Sequence, residues 1–405
     1  MNPTLVRALA LSFGLAAGAN AGVAAETRAW SDIVAQARGQ TVYWNAWGGD
    51  DRTNAFIAWA GQELQRRYGV TVRHVKLKDT AEAVTRVVAE RSAGRDAGGS
   101  VDLIWLNGPN FLAMKSQGLL HGPFSQVLPA YRYVDTVHKR SNVIDFTVPV
   151  DGLAAPWRLA QLVYIYDSAR YTRAQMPDSA PAMLQWARAH PGRLTHPQVR
   201  NFLGATFFKQ ALYDLAPDPS VLQRPATDAT FAVASAPLWA WYEQLRPHLW
   251  RQGREFPESG PAQRQLMNDA EIDLHFSFDP AEAAVSIANQ LLPASARVYV
   301  MRRGTIGNTS FVAIPYNAAH KEGAMVVADF LLEPATQARA QDPRWGGNLT
   351  VLDLAKVSAA ERAQFAPKAD MPGLPTNEQL GAPLLEPHPS WMTRITAEWE
   401  RRYAH

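Results

Sequence analysis

The sequence predicts an α/β protein of two lobes, and three observations carry that expectation. Strand-like and helix-like segments alternate through the first third of the chain, each strand running into a polar, glycine-containing loop. The chain has 405 residues, of which roughly 380 remain once a leader is removed, more than one hydrophobic core usually organises. The middle is more helical and is broken by prolines at 177–178, 191–192, 217–219 and 257–261, as a second structural unit would require.

The leader comes first. Arg7 precedes an apolar run over 8–17, followed by the small residues Ala19-Asn20-Ala21 and Val23-Ala24-Ala25. This pattern marks a secretory signal peptide over residues 1–25, cleaved after Ala25 with Ala21 as the second choice. The run is too short for a bilayer core, which needs about 20 apolar residues. Export to the periplasm in soluble form is expected. The chain has no cysteine, which removes a lipid anchor, disulfides, thiolate metal ligands and a cysteine nucleophile together. A net charge of +3, with Lys and Arg never in a run longer than two, argues against a nucleic-acid surface.

Residues 40–47 read as a strand ending at Gly48-Gly49. Asp50 or Asp51 can cap the next helix, whose apolar residues Phe56, Trp59, Ala60, Leu64 and Tyr68 recur at helical spacing before Gly69. A strand over 70–77 and a helix with Val84, Val87 and Val88 inward come next. Residues 101–106 form the short apolar run of a buried parallel strand, ending at Asn107-Gly108-Pro109-Asn110. This is the doubly wound pattern, in which ligands sit at the carboxyl ends of the strands. In the second lobe the strand candidates are 159–166, 272–278 and 297–301. A proline-rich tail over 370–389 should wrap a surface, and a helix over 391–403 closes the chain.

The common catalytic signatures, GxGxxG, P-loop, GxSxG and HExxH, are missing. The ten histidines have no metal-like spacing, and His74 and His275 fall in strands where buried, hydrogen-bonded roles are expected. Asp50-Asp51 is placed for helix capping more than for acid/base work. No cofactor, no metal and no enzymatic activity are expected. Three strand ends instead are read as joining aromatic and amide side chains: Trp44-Asn45-Ala46-Trp47, Trp105-Leu106-Asn107-Gly108 and Ala155-Pro156-Trp157-Arg158. Aromatic faces with a few orienting polar groups furnish small-molecule clefts. Trp105 is expected in the core and Trp47 at a ligand, with Trp44 undecided.

The blocks VYWNAWGGD, GGSVDLIWLNGPNF, PWRLAQLVYIYD, DLHFSFDPAEA and GTIGNTSFVAIPYNAAHKEGAMVVADFLLEPATQ, in this order over the full length, resemble the YnjB-type extracellular solute-binding proteins of ABC importers. They are similar in outline to polyamine-, thiamine- and iron-binding relatives. The resemblance implies the type II, Venus-flytrap periplasmic binding protein fold, with an interlobe cleft and crossing β segments near 149–161 and 304–310. Lobe 1 would take residues 26–155 and 307–335, and lobe 2 residues 156–306 and 336–405. A monomer that hands its solute to a membrane permease and its ATPase is implied. So is a ligand-binding set: Asn45, Trp47 and Gly49; Asn107 and Asn110; Trp157 and Gln161; Phe278 and Asp279; Asn308 and Ser310.

Polyamine binders of this class carry a carboxylate where this chain has Ser310, which disfavours a dication. Iron is disfavoured because no tyrosine or histidine cluster marks these loops. A neutral or zwitterionic organic solute fits best, with a thiamine-like aromatic cation still open. The competing expectation is a secreted enzyme on the same scaffold, of thiaminase or glycosidase type. The first attacks with cysteine, which is absent, and the second needs two opposed carboxylates.

Overall fold

The computed structural model describes residues 27–366 and 371–403; the expected signal peptide and the start of the tail at Asp370 lie outside them. In chain order the first part runs α1 (Trp30–Ala37), β1 (Thr41–Trp47), α2 (Asp51–Tyr68), β2 (Thr71–Leu77), α3 (Ala81–Ser92), β3 (Leu103–Leu106) and α4 (Gly108–Ser116). A hairpin of β4 (Ile144–Asp145) and β5 (Val148–Pro149) leads to β6 (Ala154–Gln161) and β7 (Val163–Asp167). Next come α5 (Ala180–Ala189), α6 (Phe202–Leu215), α7 (Asp228–Leu245), α8 (Gly260–Asn268), β8 (Leu274–Ser277), α9 (Glu282–Ala288) and β9 (Ala296–Tyr299). The chain returns through β10 (Gly307–Ala313), α10 (Lys321–Leu332) and α11 (Pro334–Gln341), and a C-terminal helix spans Pro389–Tyr403.

Lobe 1 is a five-stranded sheet in the order β2-β1-β3-β10-β6. β1 lies parallel to β2 and β3, while β10 is antiparallel to β3 and β6. The local chemistry explains the elements. Asp50 caps α2 by accepting from the Thr53 amide at 3.0 Å and the Thr53 hydroxyl at 2.7 Å. Gly69, at φ 68°, takes the left-handed stop that a side chain would resist. β3 begins at Leu103 and not at 101, because the buried Asp102 carboxylate takes the Tyr43 and His320 amides, each at 2.9 Å, in place of a ladder bond. One sheet face packs α1, α2 and α10 around Trp44, Phe56 and Phe330. The other packs α3 and α4 around Val87, Phe111 and Phe311.

Lobe 2 holds the sheet β8-β7-β9, antiparallel throughout. Against it α5, α6, α7 and the C-terminal helix pack an aromatic core that includes Phe207, Phe208, Trp241, Tyr242 and Trp391. His74 and His275 are both bonded within the fold, His74 Nε2 to the Ala46 carbonyl at 3.2 Å and His275 Nε2 to Glu282 at 3.1 Å.

The strand expected over 159–166 proves to be two strands in two sheets. The break is at Leu162, whose amide donates to the Ile306 carbonyl at 2.8 Å, so the outgoing and returning crossings are bonded to each other, with Gly307 opposite Gln161. The tail segment lies across them: Leu384 donates to Thr305 and accepts from Gly307, both at 2.9 Å. The division drawn at residue 335 does not match the packing. Ala338, Ala340, Val351, Leu352, Val357 and Phe365 all belong to the core of lobe 1, so the chain stays in that lobe for about another 30 residues beyond α10. Apolar residues after α10 carry no local mark of which core they join.

Candidate binding cleft

The carboxyl ends of β1 and β3 lie side by side where the connections diverge, β1 towards β2 on one side and β3 on the other. That switch point is where open α/β sheets receive ligands. Trp47 ends β1 and Trp105 lies in β3, with their rings edge to face at 6.4 Å. Trp105 in turn meets Trp157 at 4.9 Å, and Trp157 meets Trp44 at 5.7 Å. The four indoles thus grade from the core to the cleft. Trp44 and Trp157 are fully buried, while Trp47 and Trp105 are half-buried. Gly49 lets the Trp47 ring fold back on its own loop, since a Cβ there would stand 2.4 Å from the indole.

Arg158 rests on this row, its guanidinium carbon 5.1 Å from the Trp105 ring and 5.5 Å from that of Trp157. Its placement follows from a β-bulge: Ser310 pairs with Arg158 and Phe311 with Pro156, leaving Trp157 as the extra residue. Such a bulge redirects the side chains beside it. Among the described residues the Arg158 side chain forms no hydrogen bond or ion pair, and its Nε is enclosed without a partner. Burial draws its pKa below the usual arginine value, against the pull of Asp279 and Asp50.

Two of the contacts between the lobes flank the cleft. Arg52, in the first turn of α2, donates to Asp279 of lobe 2 at 2.9 Å and to Asp50 at 3.1 Å. Burial opposes this charge, but Asp279 and Asp50 outweigh it and hold the guanidinium well above its ordinary value. Burial pushes the Asp279 carboxyl up, with Arg52 opposing. At the other edge Phe146, next to the β4 hairpin, packs edge-on to Phe202 at 6.3 Å, and Phe202 meets Phe278 at 5.4 Å. Behind Asp279, Glu282 receives His275 and Ser277; burial works to raise its pKa, but these bonds and Arg264 hold it at about 2.

The expected site residues divide accordingly. Trp47, Gly49, Asn107 and Asn110 lie at the strand ends of lobe 1, and the side-chain amides of Asn107 and Asn110 have no protein partner among the described residues. Phe278 and Asp279 follow β8 in lobe 2, where Asp279 bonds Arg52 across the lobes and Phe278 packs on Phe202. Ser310 sits opposite Arg158. Asn45 is fully buried in lobe 1, donating to the Tyr43 carbonyl at 3.2 Å. Gln161 and Asn308 belong to the hinge: Gln161 donates to the Leu380 carbonyl at 3.0 Å and Asn308 to Glu386 at 2.9 Å. Trp157 is a wall of the lobe 1 core. Sequence reasoning missed Arg52 and Arg158, although Pro156 inside a strand was a signal of irregular pairing.

A separate concavity of about 590 Å³ lies wholly on lobe 1, where Arg339 is held between Trp59 and Trp345 at 4.3 and 4.9 Å. It touches one lobe only, so occupying it cannot by itself bring the lobes together.

Residues 59–365 match the family described as bacterial extracellular solute-binding protein. The chain belongs to that family. It is 41% identical over 374 residues to the protein YnjB of Escherichia coli strain K12, covering 92% of this chain and 94% of that one. Among solved structures it is similar to iron-bound HitA of Pseudomonas aeruginosa, at a TM-score of 0.62 and 14% identity over 90% of this chain and 99% of that one. The periplasmic binding protein AfuA of Actinobacillus pleuropneumoniae, with exogenous fructose-6-phosphate bound, gives 0.61 and 12% over 90% and 99%. A putative spermidine/putrescine ABC transporter protein of Listeria monocytogenes gives 0.61 and 15% over 89% and 98%. The two-lobed, type II binding-protein fold is thereby established, and the family makes the chain an extracellular solute-binding protein.

Proposed function

We propose that the protein works in the periplasm, capturing a small organic solute between the strand ends of lobe 1 and the 278–279 turn of lobe 2. The closed form would then be presented to a permease driven by its ATPase. The observation that carries this reading is the Arg52–Asp279 pair, which joins the lobes beside the tryptophan row. A solute shifts an open–closed equilibrium only through contacts it makes better in one state, so it must touch both lobes. Trp47, Trp105, Asn107 and Asn110 supply aromatic faces and free amides on one side. Phe278 and Asp279 supply the other.

A thermal-shift screen of residues 26–405 against vitamins, polyamines, sugars, amino acids, organic acids and metals tests the reading. A true solute at a hundredfold excess over its dissociation constant should add about 2.7 kcal/mol of apparent stability, and Trp47→Ala should lose that gain. Chemical consumption of the stabilising compound would mean an enzyme instead of a carrier.

A further inference from the structure

The polar groups of the cleft differ in what they have left to give. Asp50 is occupied by the Thr53 amide and hydroxyl and by Arg52. Asp279 is occupied by Arg52 and by the Ala281 amide, both at 2.9 Å. Arg158 alone among these four charged groups has neither a hydrogen bond nor an ion pair among the described residues. Enclosing a guanidinium nitrogen without a partner is costly unless something arrives to bond it.

The surroundings restrict what that can be. The guanidinium carbon lies 5.1 and 5.5 Å from the Trp105 and Trp157 rings, which offer no hydrogen-bond acceptor, so the capacity along its N–H edge is unspent. That edge is a planar fork which matches the two oxygens of a carboxylate or phosphate. Nearby, the indole N–H groups of Trp47 and Trp105 and the amides of Asn107 and Asn110 are also without protein partners among the described residues. The open positions thus include the Arg158 guanidinium and two indole N–H donors, with two amides able to donate or accept, while the two carboxylates are already committed.

Building on the cleft assigned above, we infer that the transported solute carries an oxyanion, a carboxylate or a phosphate ester, which docks on the N–H edge of Arg158 with its organic part against Trp105 and Trp47. Of the solute classes expected from sequence, a zwitterion is compatible with this chemistry. A purely neutral molecule or a thiamine-like cation leaves Arg158 unpaired.

The test is to purify the full exported protein natively, release its bound solute by heat and identify it by mass spectrometry, then titrate it back into wild type, Arg158→Gln and Arg158→Lys. Two pairs of probes, nicotinate with nicotinamide and glycerol 3-phosphate with glycerol, are titrated in parallel. The expected result is a released solute bearing a carboxylate or phosphate, bound on the order of ten- to a hundredfold more weakly by Arg158→Gln. Arg158→Lys should be intermediate, because it keeps the charge and loses the fork. The anionic probe that outperforms its neutral twin on wild type tells carboxylate from phosphate. A released solute without an acidic group, or equal binding by wild type and Arg158→Gln, overturns the inference while leaving a binding cleft in place. A wild-type protein that neither releases nor binds any of these compounds defeats the cleft assignment itself. Should Arg158→Gln fail to fold, Arg158→Lys and the wild-type preference within each probe pair decide the matter.

Discussion

The hinge and the cleft use the same kinds of side chain to opposite ends. At the hinge, Gln161, Asn308, Gln210, Lys209 and Glu386 all bond to protein, with Lys209 and Glu386 paired at 2.6 Å out of reach of water. Burial pulls the Lys209 pKa down and pushes that of Glu386 up, and each partner resists the change in the other. In the cleft, Arg158, Asn107 and Asn110 stay open. A hinge keeps its geometry while the lobes move, so its polar groups are satisfied internally. A cleft that receives a solute must hold some of its bonding capacity in reserve. The degree of satisfaction, more than residue type, separates structure from recognition here.

The largest effect should come from breaking the hinge. Glu386→Ala strands the Lys209 ammonium in a dry site and should cost about 3–5 kcal/mol, read as a fall in Tm without solute. Lobe 2 has its own satisfied group in His196, whose ring nitrogens lie 2.7 Å from the Pro197 carbonyl and 2.8 Å from the Tyr242 hydroxyl. Burial lowers its pKa from 6.5 to about 4, with the Pro197 bond opposing. Because the unfolded chain takes up a proton here before the folded one does, this contribution is complete above pH 6.5 and is lost as pH falls towards 4. The loss should reach about 3 kcal/mol. Urea melts at pH 7 and pH 4.5 should show it, and His196→Gln should flatten this part of the pH dependence.

Cleft substitutions should disturb stability less and function more. Asp279→Asn removes one charge of the interlobe pair, in which both side chains are 16% exposed, and should cost under about 2 kcal/mol while shifting the lobes towards the open form. Trp47→Ala should be the mildest of the four, within about 1 kcal/mol in urea melts, and yet abolish solute-induced stabilisation. If it destabilises as much as Glu386→Ala, the contrast between the two regions does not hold.

The first lobe was legible where local rules govern. Asp50, Gly69 and the strand–loop–helix alternation predicted α2 and the order of the elements, and the Trp47 loop could be placed at a strand end. What escaped depends on distant chain. Arg158 owes its position to a bulge against β10, about 150 residues later. Asn308 is tied up by Glu386, and Gln161 by Leu380, both contributed by a tail that the sequence marked only as proline-rich. Asn45 shares the strand face of Trp47 but lies two residues short of the strand end, buried and bonded to the Tyr43 carbonyl and Arg86. The lobe boundary was misplaced because α11 and the residues after it are short of local signals while packing on α2 and β6.

The central claim, that two lobes close around a solute through Arg52 and Asp279, can be tested by distance. The chain lacks cysteine, so Val137→Cys on lobe 1 and Val233→Cys on lobe 2, at positions 71% and 67% exposed, can carry spin labels without competing thiols. Pulsed dipolar spectroscopy should show a longer distance gaining population in Asp279→Asn, and the shorter one recovering when the solute is added. A single distance, unchanged by Asp279→Asn and by solute, would contradict the account.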